Sequence, residues 1–125
     1  MTKQILSKEV EDYVIKNPKS VLLDVRTEEE WNSDGKPDGE KIALKTHFLT
    51  IQFVDKTFNQ NFIEDFKKLN IEKDHEILTM CMGGVRSQAA AEILIKENYI
   101  CSNISDGFLG NNQNLGWKNS GLPSK

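Results

Sequence analysis

Residues 76–96 read EILTMCMGGVRSQAAAEILIK, and this stretch determines how the rest of the chain is organised. Residues 77–80 form the short, mostly apolar run that is typical of a strand buried on both faces. The residues from Arg86 to Glu97 favour a helix, because they include three alanines and no glycine or proline. The stretch therefore predicts a cysteine, Cys81, at the end of a strand, followed by a loop that leads directly into a helix N-terminus.

The loop after this cysteine has the features of an anion-binding site. N–H groups at a helix start have no partners within the helix, and the helix dipole favours negative charge there. Gly83 and Gly84 allow the loop to curl so that successive amides point inward. The same field favours a thiolate over a thiol. Cys81 is therefore predicted to be a nucleophile for a small anion, although many buried free cysteines serve only in packing.

Three motifs of the chain have a recognisable form, and they are CMGGVR at 81–86, LDVRTEEEW at 23–31 and GWKNSGLP at 116–123. The first is similar to the active-site loop of the rhodanese family, in which four residues separate a cysteine from an arginine. The second resembles the family signature D-V-R-x-x-x-E-aromatic, and the third resembles its closing W-x-x-x-G-L-P. The resemblance implies one rhodanese-like domain over residues 1–125. It also implies an α/β fold with a mostly parallel sheet of about five strands and helices on both faces.

The resemblance implies a sulfurtransferase without a metal or an organic cofactor. Cys81 would be the catalytic nucleophile and would carry the transferred sulfur as a persulfide. The donor would be a small sulfur-containing anion or a persulfide, and the acceptor would be cyanide or a thiol of a protein or a small molecule. Substrate binding would fall to the loop amides and the arginine charge, that is, to Met82, Gly83, Gly84, Val85 and Arg86.

One departure from the family pattern and two alternative functions bear on this interpretation. Many thiosulfate-using members carry Arg or Lys directly after the cysteine, whereas this chain has Met82, so thiosulfate is predicted to be a poor donor. A non-catalytic rhodanese-like binding module would not need Cys81 and Arg86. Cysteine-dependent phosphatases and arsenate reductases enclose five residues between cysteine and arginine to hold a tetrahedral anion, and this loop encloses four.

Polar residues follow the predicted strand Val21–Val25, at the sheet edge where open α/β folds place their sites. Thr27 and Glu30 have the spacing of a capping box. A structural polar network around this turn is the favoured interpretation for Asp24 and Glu30. Arg26 is a candidate for a further substrate contact, because it could face the active-site mouth.

The remaining segments predict supporting elements. Ile42–Leu44 is predicted to be a brief strand, and a helix that either Asn59 or Asn61 can cap presents an apolar stripe to the core. Tyr99–Ser105 is predicted to be the last strand. Its cysteine, Cys101, is interpreted as a packing residue and not as a resolving thiol. Trp117 is expected to pack the chain end onto the body.

Composition limits the classes of protein that are compatible with the chain. Its length of 125 residues, 38% hydrophobic residues and 28% charged residues predict one globular domain. A net charge of −3 without a Lys/Arg-rich run argues against a nucleic-acid partner. No apolar segment predicts a signal peptide or a membrane partner. The expected location is the cytoplasm, with both cysteines reduced.

Overall fold

A computed structural model of the protein describes residues 2–125. Within that range, none of the helices combines the length and the apolar character that crossing a membrane requires. Strands and helices alternate along the chain, with a short 3-10 helix at Gly39–Ile42. In order they are β1 (Lys3–Ile5), α1 (Ser7–Lys16), β2 (Ser20–Asp24), α2 (Glu28–Asp34), β3 (Lys45–Phe48), α3 (Phe62–Lys67), β4 (Glu76–Met80), α4 (Val85–Lys96), β5 (Ile100–Ile104) and α5 (Gly116–Asn119).

The strands form one parallel sheet with the order β1-β5-β4-β2-β3. β4 is the middle strand, and its last residue, Met80, is paired with Asp24 at the end of β2. The carboxyl ends of β2 and β4 therefore lie side by side. This arrangement confirms the predicted α/β fold and brings the loop after β4 next to the turn after β2.

The two faces of the sheet bury two separate apolar clusters, because successive residues of a strand point to opposite faces. Leu23 of β2 packs with α3 and α4, whereas its neighbour Leu22 packs with α1 and α5. The first cluster also contains Phe62, Phe66, Ala90, Ala91 and Leu94. The second also contains Val10, Val14, Phe108 and Trp117. Helices therefore cover both faces of the sheet. Core packing on these faces fixes the positions of the carboxyl ends of β2 and β4.

The predicted strand at Ile42–Leu44 is wrong. The chain forms the 3-10 helix there, and Ala43 ends it with a left-handed backbone at φ 60°. The Leu44 N–H then donates to the Gly39 carbonyl at 2.9 Å, which closes the turn. β3 consequently begins at Lys45, where pairing with Val21 starts. A backbone with positive φ cannot continue a strand, so the apolar residues before Lys45 fold into a turn.

Candidate active site

Cys81 lies directly after β4, and its sulfur is held by groups from the start of α4. The Gly84 N–H donates to the sulfur at 3.1 Å, and the Ser87 hydroxyl oxygen lies 3.3 Å from it. The residue is only 1% exposed. The prediction of a thiol between a strand end and a helix start is therefore confirmed. The low exposure means that almost all of the residue is shielded from solvent by the surrounding loop and helix.

The loop carbonyls point away from the sulfur, toward the segment that follows β5. The carbonyl of Cys81 accepts from Phe108 N–H at 2.8 Å, and that of Met82 from Leu109 N–H at 3.2 Å. The Gly83 carbonyl accepts from the Asn111 side chain at 3.3 Å. Since the N–H of the next residue points opposite to each carbonyl in a trans peptide, the N–H groups of residues 82–84 turn toward the other side. Of these N–H groups, that of Gly84 donates to the Cys81 sulfur.

The two glycines of the loop have different roles. Gly84 has φ +107°, a backbone conformation that favours glycine, and a Cβ there would overlap the Ser105 carbonyl. Gly83 has no positive φ, and its nearest neighbour would be the Gly110 carbonyl oxygen at 3.3 Å. Both glycines were expected to allow the loop to curl, but only Gly84 has a backbone conformation that favours glycine.

Arg86 is paired with Glu30 of α2. Its two terminal nitrogens donate to the two carboxylate oxygens at 2.7 and 2.8 Å. This is the bidentate geometry that makes Arg–carboxylate pairs specific in direction as well as strong. The pair joins the first turn of α4 to the first turn of α2, so Arg86 braces the loop from the side of β2. The guanidinium charge is balanced by Glu30 at the same time.

Glu30 is also the capping residue of its own helix, and its electrostatics reflect both roles. Its Oε1 accepts from the N–H and the hydroxyl of Thr27 at 3.1 and 3.0 Å. Burial alone would raise the pKa of Glu30, but the hydrogen bonds from Arg86 and Thr27 outweigh it and lower the pKa to about 2. The hydrogen bond with Glu30 in turn raises the pKa of Arg86, against the effect of burial. Glu30 thus belongs to the polar network that was predicted around its turn, and it also pairs with Arg86, which was not predicted.

Arg26 lies in the interior and not at the active-site mouth, which corrects its predicted role as a further substrate contact. The residue is 0% exposed. Its Nε and Nη2 donate to the Asp24 carboxylate, and Nη2 also donates to the Gly35 carbonyl at 2.9 Å. The guanidinium carbon lies 4.2 Å from the centre of the Phe108 ring. Because a buried charge requires partners, Arg26 and Asp24 form a structural pair, as was expected for Asp24.

The second cysteine is remote from the first. Cys101 is paired with Ile77 in the sheet, four residues before Cys81 along β4. At roughly 3.3 Å per residue, this corresponds to about 13 Å along the strand, and both cysteines are free. Burial, with a smaller effect of the Glu76 charge, raises the pKa of the Cys101 thiol to about 12. The packing interpretation of Cys101 fits this position.

Sequence reasoning missed Ser87, which contacts the sulfur, and Asn103, which contacts Ser87. Ser87 is 0% exposed and Asn103 is 2% exposed, and the serine hydroxyl lies 2.6 Å from the asparagine Oδ1. Asn103 could have been noticed as an amide within the short strand ICSNI, since a buried amide needs hydrogen-bond partners. Ser87 could have been noticed because it begins the buried face of α4, which is otherwise apolar.

A cavity of about 490 Å³ lies beside the Glu30–Arg86 pair. It is bounded by α2 and by the segment between β3 and α3, and the apolar residues Phe53 and Val54 beside it are 46% and 59% exposed. Lys56 also lines it. A group larger than a small anion therefore has room next to the loop.

The comparisons with known proteins agree with the fold described above. A sequence model of the rhodanese-like domain matches residues 6–113. An uncharacterized protein of Rickettsia prowazekii is 39% identical over 98% of this chain and 97% of its own. The crystal structure of Rv0390 from M. tuberculosis superposes with a TM-score of 0.86 at 28% identity, covering 99% of this chain and 97% of that one. A rhodanese-like domain protein from Staphylococcus aureus has the same fold, with a TM-score of 0.69 at 20% identity and 99% of each chain covered. This chain belongs to the family of rhodanese-like domains.

Proposed function

We propose that the protein is a sulfurtransferase in which Cys81 carries a sulfane sulfur. The observation that supports this most directly is the sulfur of Cys81, with the Gly84 amide donating to it and the loop carbonyls directed away. A thiolate and a terminal persulfide are both anions, so amide donors stabilise each of them. A residue used only for packing would not require a loop backbone that directs its N–H groups to one side.

The reaction consists of two displacements. The Cys81 thiolate attacks the outer sulfur of the donor, a bond forms between the two sulfurs, and the donor's own sulfur–sulfur bond breaks. The leaving group, which is sulfite or a thiolate, departs with the electron pair. An acceptor thiolate or cyanide then attacks the outer sulfur of the persulfide and releases the Cys81 thiolate. The electrons balance without an oxidant or a cofactor.

The charge distribution favours a persulfide over thiosulfate as the donor. The Arg86 charge is balanced by a bidentate contact to Glu30. The residue after the cysteine, Met82, adds no charge. A doubly charged anion such as thiosulfate therefore receives little electrostatic stabilisation apart from that of the loop amides. A persulfide carries less charge and has more apolar surface. The cavity beside Phe53 and Val54 can accommodate that surface.

Intact-mass measurement tests the proposal. The protein is incubated with a small-molecule persulfide or with thiosulfate, and we expect a gain of one sulfur, more completely with the persulfide. Cys81→Ser should gain none, and Cys101→Ser is the matched control that should gain sulfur normally. If the wild type gains no sulfur from either donor, the proposed sulfurtransferase is contradicted and the alternative of a binding module is favoured. Hydrolysis of an aryl phosphate that is lost in Cys81→Ser would instead establish a phosphatase.

A further inference from the structure

A buried polar chain extends from the sulfur of Cys81 through Ser87 to Asn103. The serine hydroxyl oxygen lies 3.3 Å from the sulfur and 2.6 Å from Asn103 Oδ1. A hydroxyl has one proton, so it can donate to only one of these two acceptors at a time. The shorter distance indicates that the proton is on the side of Asn103. In that state, the serine presents a lone pair to the cysteine, and the thiol proton can be donated to it.

The orientation of the Asn103 amide follows from its other contacts. Its Nδ2 lies 3.1 Å from the Gly84 carbonyl oxygen and 2.9 Å from Gln4 Oε1. A carbonyl oxygen can only accept, so the NH₂ group must face Gly84 and the Oδ1 must face Ser87. The reversed amide would place two acceptors against each other in a buried site, which is costly. Asn103 is therefore a fixed acceptor that competes with Cys81 for the Ser87 proton.

Thr79 provides Asn103 with a replacement donor. Its hydroxyl lies 3.4 Å from Asn103 Oδ1 and also 3.4 Å from the Ser102 carbonyl oxygen. When the Ser87 hydroxyl rotates toward the sulfur, the Thr79 hydroxyl can turn to Asn103, so that no buried acceptor loses all its donors.

We infer that Asn103 is a positioning residue that withholds the Ser87 proton from the Cys81 thiol and releases it when the sulfur becomes an anion. Ser87 thus accepts from the thiol and donates to the thiolate or the persulfide. The inference rests on the proposed role of Cys81 as the nucleophile. The ionisation of the thiol can be measured without any sulfur donor, so its test is independent of whether sulfur is transferred.

The test is a pH titration of the thiolate by its ultraviolet absorbance, with Cys81→Ser subtracted as the background. Asn103→Leu removes the competing acceptor, while the Gly84 carbonyl still accepts from the Gln88 N–H at 3.3 Å. The released Ser87 proton should shift the titration to lower pH by about one unit, a tenfold change in the ionisation constant. The charged groups around the site (Arg86, Glu30 and Asp24) are unchanged in this variant.

Thr79→Val provides a second variant of opposite sign, and it replaces one side chain by another of the same shape. Without the replacement donor, Asn103 retains the Ser87 proton more firmly, and the titration should shift to higher pH. Both shifts should disappear in a Ser87→Ala background. The inference is overturned if Asn103→Leu raises the titration pH or leaves it unchanged, or if either shift persists without Ser87. If Asn103→Leu does not fold, the test uses Thr79→Val with and without the additional Ser87→Ala substitution. The inference is then overturned if Thr79→Val does not raise the pH at which the thiolate titrates.

Discussion

Replacing Glu30 by Gln tests the ion pair between Glu30 and Arg86, which braces the loop after β4. Gln retains the shape and one acceptor for Arg86, so the substitution removes mainly the charge. A pKa lowered from 4.5 to about 2 corresponds to roughly 3 kcal/mol in favour of the ionised form. The side chains of the pair are 23% and 22% exposed, and solvent screens part of this energy. We therefore expect Glu30→Gln to lower the free energy of unfolding by about 1–2 kcal/mol at neutral pH.

The dependence on pH identifies the carboxylate as the cause. The folded pKa of Glu30 is below its ordinary value, so its contribution is complete above 4.5 and is lost as the pH falls toward about 2. Urea denaturation at several pH values should therefore show that wild type and Glu30→Gln converge in acid. Glu29→Gln is the matched control, because Glu29 is an exposed neighbour in the same helix turn, and it should change stability by less than about 0.5 kcal/mol. A difference that is constant over this pH range would refute the reasoning.

Other substitutions address the loop, the interior and the second thiol. Gly84→Ala should cost at least about 1–3 kcal/mol by denaturation, because overlap of the added Cβ with the Ser105 carbonyl adds to the strain of the positive φ, whereas Gly83→Ala should cost less; equal losses would contradict the assigned backbone roles. Asp24→Asn leaves the Arg26 charge buried without its partner and should cost about 3–5 kcal/mol in the same assay, and a loss below 1 kcal/mol would show that water reaches it. Cys101→Ser should form the Cys81 persulfide at the wild-type rate by mass spectrometry, and a large decrease would indicate a two-cysteine mechanism.

The sequence predicted the part of the site that is local along the chain. The apolar run before Cys81, the glycines after it and the helix formers from Arg86 onward act within a few residues of one another. Periodicity and helix-end chemistry therefore place the thiol correctly. The capping box of Thr27 and Glu30 is equally local, and the structure contains it.

The contacts between distant segments were not predictable in the same way. Glu30 and Arg86 meet because β2 and β4 are neighbours in the sheet, and strand order is not encoded in a local pattern. Arg26 follows a strand end as a site residue would, yet a side chain of its length can turn inward and pair with Asp24. Ser87 and Asn103 are visible in the sequence only as polar residues in apolar segments, and their relation to the sulfur depends on the pairing of β4 with β5.

The central position of β4 has a consequence for hydrogen exchange. A strand that is bonded to neighbours along both edges exposes its amides only when the whole domain opens, so β4 should exchange at the rate of global unfolding. Cys81 is attached directly to the end of that strand. Mutations elsewhere in the core that lower global stability should therefore reduce the fraction of molecules that are folded. In such mutants, the exchange protection of the β4 amides should fall in proportion to the loss of global stability. The surroundings of the Cys81 sulfur should remain intact in each molecule that is folded.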